Sequence, residues 1–123
     1  MRYNAMWCTG RSRATHFALH ASDLALQDAG FNGGEGMDLT RAGVAVASGI
    51  GSMQDICDGY NTYLTEQRRL SPFFVSKILI SSIAGEVSIR HKLQGPNHAV
   101  ATACAASAHA IGDAYNFIRL VRL

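Results

Sequence analysis

The chain has 123 residues, 48% of them apolar and 16% charged, a composition that suits one folded domain with a modest core and excludes a disordered segment. A formal net charge of +2, with Arg68-Arg69 as the only basic doublet, argues against a nucleic-acid surface. No apolar run approaches the roughly 18 residues that a membrane span needs.

The first stretch lacks the continuous apolar core of a secretory signal. Arg2, Arg11 and Arg13 precede any acid, a faint transit-peptide pattern, but from Ser12 onward the chain reads better as a folded helix. Residues 12–29 carry Phe17, Ala21, Leu24, Ala25 and Asp28 on one side at helical spacing, with Ser12 as N-cap and Gly30 placed to end the helix. FNGGEGMD, residues 31–38, is a loop. GVAVAS, residues 43–48, is β-branched, small and uncharged, and predicts a buried strand. SGIGS, residues 48–52, is a turn into a second helix expected over Met53–Arg69. Pro72 opens a third helical stretch in two pieces running to about Leu93, Gly95-Pro96 breaks it, and residues 98–103 form a second strand. A last helix is expected from Cys104 to about Ile118, with Ala108, Ile111, Tyr115 and Ile118 as its apolar stripe and Gly112 admitting a close neighbour. Strands alternating with helices predict a layered α/β arrangement with parallel strands. Two strands are few for a stable sheet, which points to a piece of something larger or to strands borrowed from a partner.

The junction Thr102-Ala103-Cys104 carries the strongest chemical signal. A cysteine where a helix begins meets the positive end of the macrodipole and unpaired N–H groups, a setting that favours a thiolate. A sharp strand-to-helix turn also exposes a nucleophile and aims backbone N–H groups at a carbonyl oxygen. The surrounding Ala101, Ala103, Ala105, Ala106 and Ser107 permit close packing. From spacing alone, a buried structural cysteine in an alanine-rich helix reads slightly better. His109 lies five residues on, about 140° round a helix, and His98 lies back along the strand, so both read as structural, hydrogen-bonded histidines. His16, His20 and His91 read as helix-surface residues, and Asp113 and Arg119 as a solvated helix face. SGIGS is no dinucleotide loop, because Gln54 stands where the third glycine belongs. Of Phe73 and Phe74 in SPFFVSKILI, adjacent residues pointing different ways, one should lie near a surface. Cys8, Cys57 and Cys104 are odd in number and widely spaced with no CxxC pair. That suits a reducing compartment and gives zinc little support.

GPNHAVATACAASAHAIGDA resembles the active-site region of the β-ketoacyl-acyl carrier protein synthases, the condensing enzymes of fatty-acid synthesis. RATHFALHASDLALQDAG, RAGVAVASGIGSM and SPFFVSKILISSIAGEVSIRHKLQGPNHAV agree with that family in order and spacing, over residues 11–119. FFVSKILI through GPNHAV is most similar to the elongating, mitochondrial-like type, of the kind numbered I and II. The resemblance implies a thiolase-like fold of two α/β halves in five layers, of which this chain would supply an incomplete N-terminal half. It implies Cys104 as the acyl nucleophile, with its own N–H in the oxyanion hole, Ile50 as the gate of the acyl pocket, and Phe74 lining that pocket from across a dimer interface. The strand from His98 to Thr102 would pair with its twin in a homodimer. The substrates implied are acyl and malonyl thioesters on acyl carrier protein, with no cofactor and no metal. The compartment implied is mitochondrial, or cytoplasmic if the source is bacterial.

The departures are as informative. Residues 1–10 and 120–123 diverge from the family pattern, and the second half, with two catalytic histidines, a lysine and the second oxyanion-hole N–H, has no counterpart here. The expectation is a synthase fragment that carries the nucleophile but is inactive alone. Two other expectations stand beside it: a non-catalytic truncated product that binds the full-length synthase, and a stand-alone cysteine acyltransferase or thioesterase with His98 as base.

Overall fold

The computed structural model describes residues 10–121. The divergent segment expected over residues 1–10 lies, apart from Gly10, outside the described residues, as do Cys8 and the last residues of the expected tail.

Helix α1 spans Arg13–Asp28. Ser12 caps its start, accepting from the Thr15 N–H at 3.3 Å. Its end is closed by Gly30 at φ +71°, with Gly30 N–H donating to Gln27 and Phe31 N–H to Leu26, the paired bonds of a Schellman cap. After the glycine loop, Asp38 accepts from Thr40 and starts a single 3-10 turn, Leu39–Arg41. Strand β1 is Val44–Ala47, and helix α2 is Met53–Tyr60. Helix α3, Phe74–Ile78, and helix α4, Ser81–His91, are the two pieces anticipated after Pro72, and strand β2 is Asn97–Val100. A 3-10 turn over Ala103–Ala105 leads into helix α5, Ala106–Val121.

The strands are parallel, with Val44 opposite Asn97 and Ala47 opposite Val100. Side chains alternate across a sheet, so Val44 and Val46 share one face with Asn97 and Ala99, while Ala45 and Ala47 share the other with His98 and Val100. The first face is covered by α4 and α1: Val44 packs with Leu19, Ala84, Val87 and Leu93 in the core, and Asn97 approaches Gly85. On the second face lies α5, where His98 bonds Asp113 and meets the edge of the Phe117 ring. Three layers result, helices on each side of a two-stranded sheet.

Four expectations about these elements need correction. The second helix does not run to Arg69. Its α-helical part stops at Tyr60, relaxes through a π turn at Asn61–Thr65, and passes a left-handed Gln67 at φ +51°. In α1 the buried positions are Thr15 and Leu19, whereas Phe17 and Leu24 are 65% and 54% exposed. In α5 the buried residues are Ala106 and Ala110, while Ile111, Tyr115 and Ile118 face outward. The reason is steric in α5: the sheet face it covers carries alanines, and a helix approaches an alanine surface most closely through its own small residues. Gly112 has open space where a side chain would stand, so it receives no close neighbour among the described residues.

Candidate functional site

Parallel pairing fixes the site. The carboxyl ends of β1 and β2 emerge side by side at the Ala47–Val100 pair, so the turns that follow them must be neighbours. The first is SGIGS. Ser48 N–H extends the ladder to Val100 at 3.3 Å, and the Ser48 hydroxyl accepts from Gly51 N–H at 3.2 Å. Gly51 takes φ +79° with the Ile78 carbonyl where a Cβ would have 3.0 Å, so the turn is seated on the α3–α4 junction. The second turn is the strand-to-helix elbow. Thr102 leaves β2 at φ −126° and ψ 45°, and Ala103 follows at φ +49°. The two turns touch: a Cβ on Gly49 would lie 3.4 Å from the Ala103 carbonyl oxygen.

A non-glycine residue in the left-handed region costs roughly 1–2 kcal/mol, so something must hold Ala103 there. Three contacts do. Ala105 N–H donates to the Thr102 carbonyl at 3.1 Å, the Thr102 hydroxyl bonds His109 Nδ1 at 2.8 Å, and α5 is anchored on the sheet through buried Ala106 and Ala110. An ordinary hydrogen bond contributes about 0.5–1.5 kcal/mol, the same size as the strain. The elbow is therefore kept by a small surplus, and each contact matters.

Cys104 stands just past this elbow, free and exposed. It is not the buried structural cysteine that spacing slightly favoured. The first turn of α5 carries no acid, so nothing in it offsets the positive end of the helix beside the thiol. Both flanking histidines are hydrogen-bonded, His98 to Asp113 at 3.0 Å and His109 to Thr102 at 2.8 Å. Neither ring bonds Cys104 among the described residues. Asp113 is thereby tied to the sheet face rather than lying free on a solvated helix face. Arg119 rests over the Tyr115 ring at 5.8 Å.

Ile50, at the tip of SGIGS, is 67% exposed. Phe74 is half-buried, its ring laid on Gly59 of α2, where an added Cβ would come within 2.9 Å of Cζ and 3.0 Å of Cδ2. Phe73 points the other way and is exposed, its ring near Gly10. Ser52 donates to Asp55, and Lys77 approaches Asp55 at 3.7 Å, so SGIGS, α2 and α3 form one tied unit. Ile50 and Phe74 both ride on that unit, and Gly49 brings it against the Cys104 elbow. Sequence reasoning missed Gly59 and the Thr102–His109 bond. An isolated mid-helix glycine was the available signal for the first.

At the opposite end of the strands, a cleft of about 330 Å³ is lined by Gly43, Ala45, Pro96, Phe117 and Ile118 among others; it does not include Cys104. Away from the site, His91 departs from the helix-surface reading. It is half-buried, bonds Ser22 at 3.2 Å and lies 3.3 Å from Asp23, and burial holds its pKa below the ordinary histidine value. His16 and His20 stand one helical turn apart on α1. Among the described residues no group of three or more His, Cys, Asp or Glu could hold a metal ion, and no helix is long and apolar enough to cross a membrane.

Residues 10–122 match the family described as the beta-ketoacyl synthase N-terminal domain. The chain is similar to the 3-oxoacyl-[acyl-carrier-protein] synthase 2 of Rhizobium meliloti, 50% identical over 105 residues that make up 85% of this chain and 25% of that protein. It is also similar to the mitochondrial 3-oxoacyl-[acyl-carrier-protein] synthase of Arabidopsis thaliana, 42% identical over 94% of this chain and 26% of the relative. In structure it matches a beta-ketoacyl synthase from Burkholderia phymatum with a TM-score of 0.80 and 31% identity, over 98% of this chain and 31% of that one. The chain thus spans about a quarter of the length of these curated relatives.

Proposed function

The chain belongs to the beta-ketoacyl synthase N-terminal domain family and has its thiolase-like fold in part, and from that premise we propose that Cys104 is the acyl acceptor of a decarboxylative condensation in fatty-acid elongation. The observation that carries the proposal is the elbow itself. Ala103 at φ +49° leaves a free, exposed thiol at the foot of a 16-residue helix, with the Gly49 turn packed against the Ala103 carbonyl. In the loading step, Cys104 Sγ attacks the carbonyl carbon of an acyl thioester. The new C–S bond forms as the old one breaks, and the carrier thiol leaves with the proton. The backbone N–H of Cys104 would supply one donor to the developing oxyanion. In the condensing step, a malonyl thioester loses carbon dioxide, its carbanion attacks the acyl carbonyl, and the Cys104 thiolate is released.

The second step belongs to the whole synthase. This chain offers no histidine pair at the elbow, since His98 and His109 are engaged with Asp113 and Thr102. Ile50 and Phe74 would bound the acyl pocket, and β2 would face a second copy. Acyl carrier protein would deliver both thioesters. The mitochondrial name of the Arabidopsis relative supports a mitochondrial setting, and the Rhizobium relative shows that a bacterial source fits as well.

The test is to incubate the chain with octanoyl-CoA, measure intact mass, and map the adduct. An octanoyl adduct on Cys104 that is absent in Cys104→Ser, with no carbon dioxide released from malonyl-CoA, is the expected result. Acylation that ignores the Cys104→Ser change refutes it. Carbon dioxide release from malonyl-CoA would instead favour a self-sufficient enzyme. Loading that disappears in His98→Ala would favour the stand-alone acyltransferase, in which His98 must leave Asp113 to serve as base.

A further inference from the structure

We propose that His109 is a positioning residue for Cys104: through Nδ1 it latches Thr102 and so holds the left-handed Ala103 that presents the thiol. This rests on Cys104 being the acceptor proposed above.

His109 sits one turn into α5, on the same exposed surface as the elbow, and its ring reaches back seven residues to the Thr102 hydroxyl at 2.8 Å. Thr102 is the last residue before the strained position, and its carbonyl also takes the Ala105 N–H at 3.1 Å. The residue before Ala103 is thus gripped twice, by backbone and by side chain. On the other side Gly49 closes on the Ala103 carbonyl without a side chain, so no bulky contact from that turn replaces the grip. Without His109, Ala103 can relax toward the ordinary helical region, which would rotate Cys104 away from the presented position. The acylating chemistry needs no proton from His109 in this role. Its task is geometric.

The chain supplies its own control, because Cys57 is also free and exposed, on a different helix. The experiment measures iodoacetamide alkylation at each cysteine by peptide mass spectrometry and reads the ratio of the Cys104 rate to the Cys57 rate. His109→Ala and Thr102→Val are expected to lower that ratio at least about twofold, about fivefold being the ceiling set by the equilibrium weight of one ordinary hydrogen bond. An asparagine amide falls where Nδ1 stood and a glutamine amide where Nε2 stood. His109→Asn and Thr102→Ser should therefore keep the wild-type ratio, and His109→Gln should behave as alanine. An unchanged or raised ratio in His109→Ala overturns the proposal, as does an equal loss in His109→Asn and His109→Gln. If His109→Ala unfolds the chain, both cysteines accelerate together, and Thr102→Val against Thr102→Ser then decides in the same terms. Wild-type loading with octanoyl-CoA separates the two ideas. A wild-type chain that takes no acyl group but shows the alkylation pattern above loses the acceptor reading and keeps the latch; one that loads equally well in every variant keeps the acceptor and loses the latch.

Discussion

Replacing Gly59 by alanine should destabilise this protein although it improves the helix. In an exposed helix interior, glycine to alanine gains roughly 0.8–1 kcal/mol. Gly59, however, is buried, and the new Cβ would collide with Phe74 Cε2 and lie 2.9 Å from Cζ, closer than carbon atoms approach. The ring is no flexible chain end. To yield, it must drag α3 against the Asp55–Lys77 ion pair or lift off α2. Overpacking of this kind costs roughly 1–3 kcal/mol, so the two effects leave a net loss of about 1 kcal/mol. The sharper test is a change of sign. In a Phe74→Ala background the obstacle is gone, and Gly59→Ala should stabilise by roughly 0.5–1 kcal/mol through propensity alone. Urea unfolding followed by circular dichroism measures all four chains. Stabilisation by Gly59→Ala in both backgrounds would show that the ring does not rest on Gly59, and the seating of Phe74 would have to be abandoned.

Two further outcomes follow from the same geometry. His91 has its pKa lowered, first by burial and then by Arg90, with Asp23 opposing. The unfolded chain therefore binds the proton more readily, and the stability present above the ordinary histidine pKa of about 6.5 is lost as the pH falls toward the folded value. Thermal midpoints should drop between pH 7.5 and 5.5 in the wild type and drop less in His91→Gln, and an equal drop in both removes His91 as the cause. Ala103→Gly should raise stability by about 0.5–1 kcal/mol, because glycine accepts φ +49° without strain; a lower midpoint in urea would mean that the residue is not held in the left-handed region.

What could be read in the sequence and what could not divides along a physical line. Features fixed by a residue's own backbone preferences were legible. The Ser12 cap, the Gly30 terminus and the two strands all lie within a few residues of the signal that predicts them, whereas the left-handed Ala103 of the elbow goes against alanine's own preference. Features fixed by a partner distant in the chain were not. Nothing in MQDICDGY says that an aromatic ring from 15 residues later will lie on Gly59, and helical spacing put His109 out of reach of Cys104 without showing that it could grip Thr102 instead.

The misread helix faces follow from the same limit. Helical periodicity reports that a face is apolar, not which surface covers it. Helix α5 carries two such faces: a narrow one of Ala106, Ala110 and Ala114 leading to Phe117, and a bulky one of Ile111, Tyr115 and Ile118. Ranking them by side-chain size chooses the second, because size tracks burial free energy. The structure chooses the first, because the alanines of β1 leave room for close approach and an isoleucine there would hold the helix away from His98. Losing that approach would pull Asp113 from His98 at 3.0 Å and loosen the start of α5, where Cys104 stands. The small face is therefore the one that sets the site: Ala106 and Ala110, which look uninformative in the sequence, are buried against the sheet and bring the helix close enough for the elbow to form, while Ala101, Ala103 and Ala105 stay exposed.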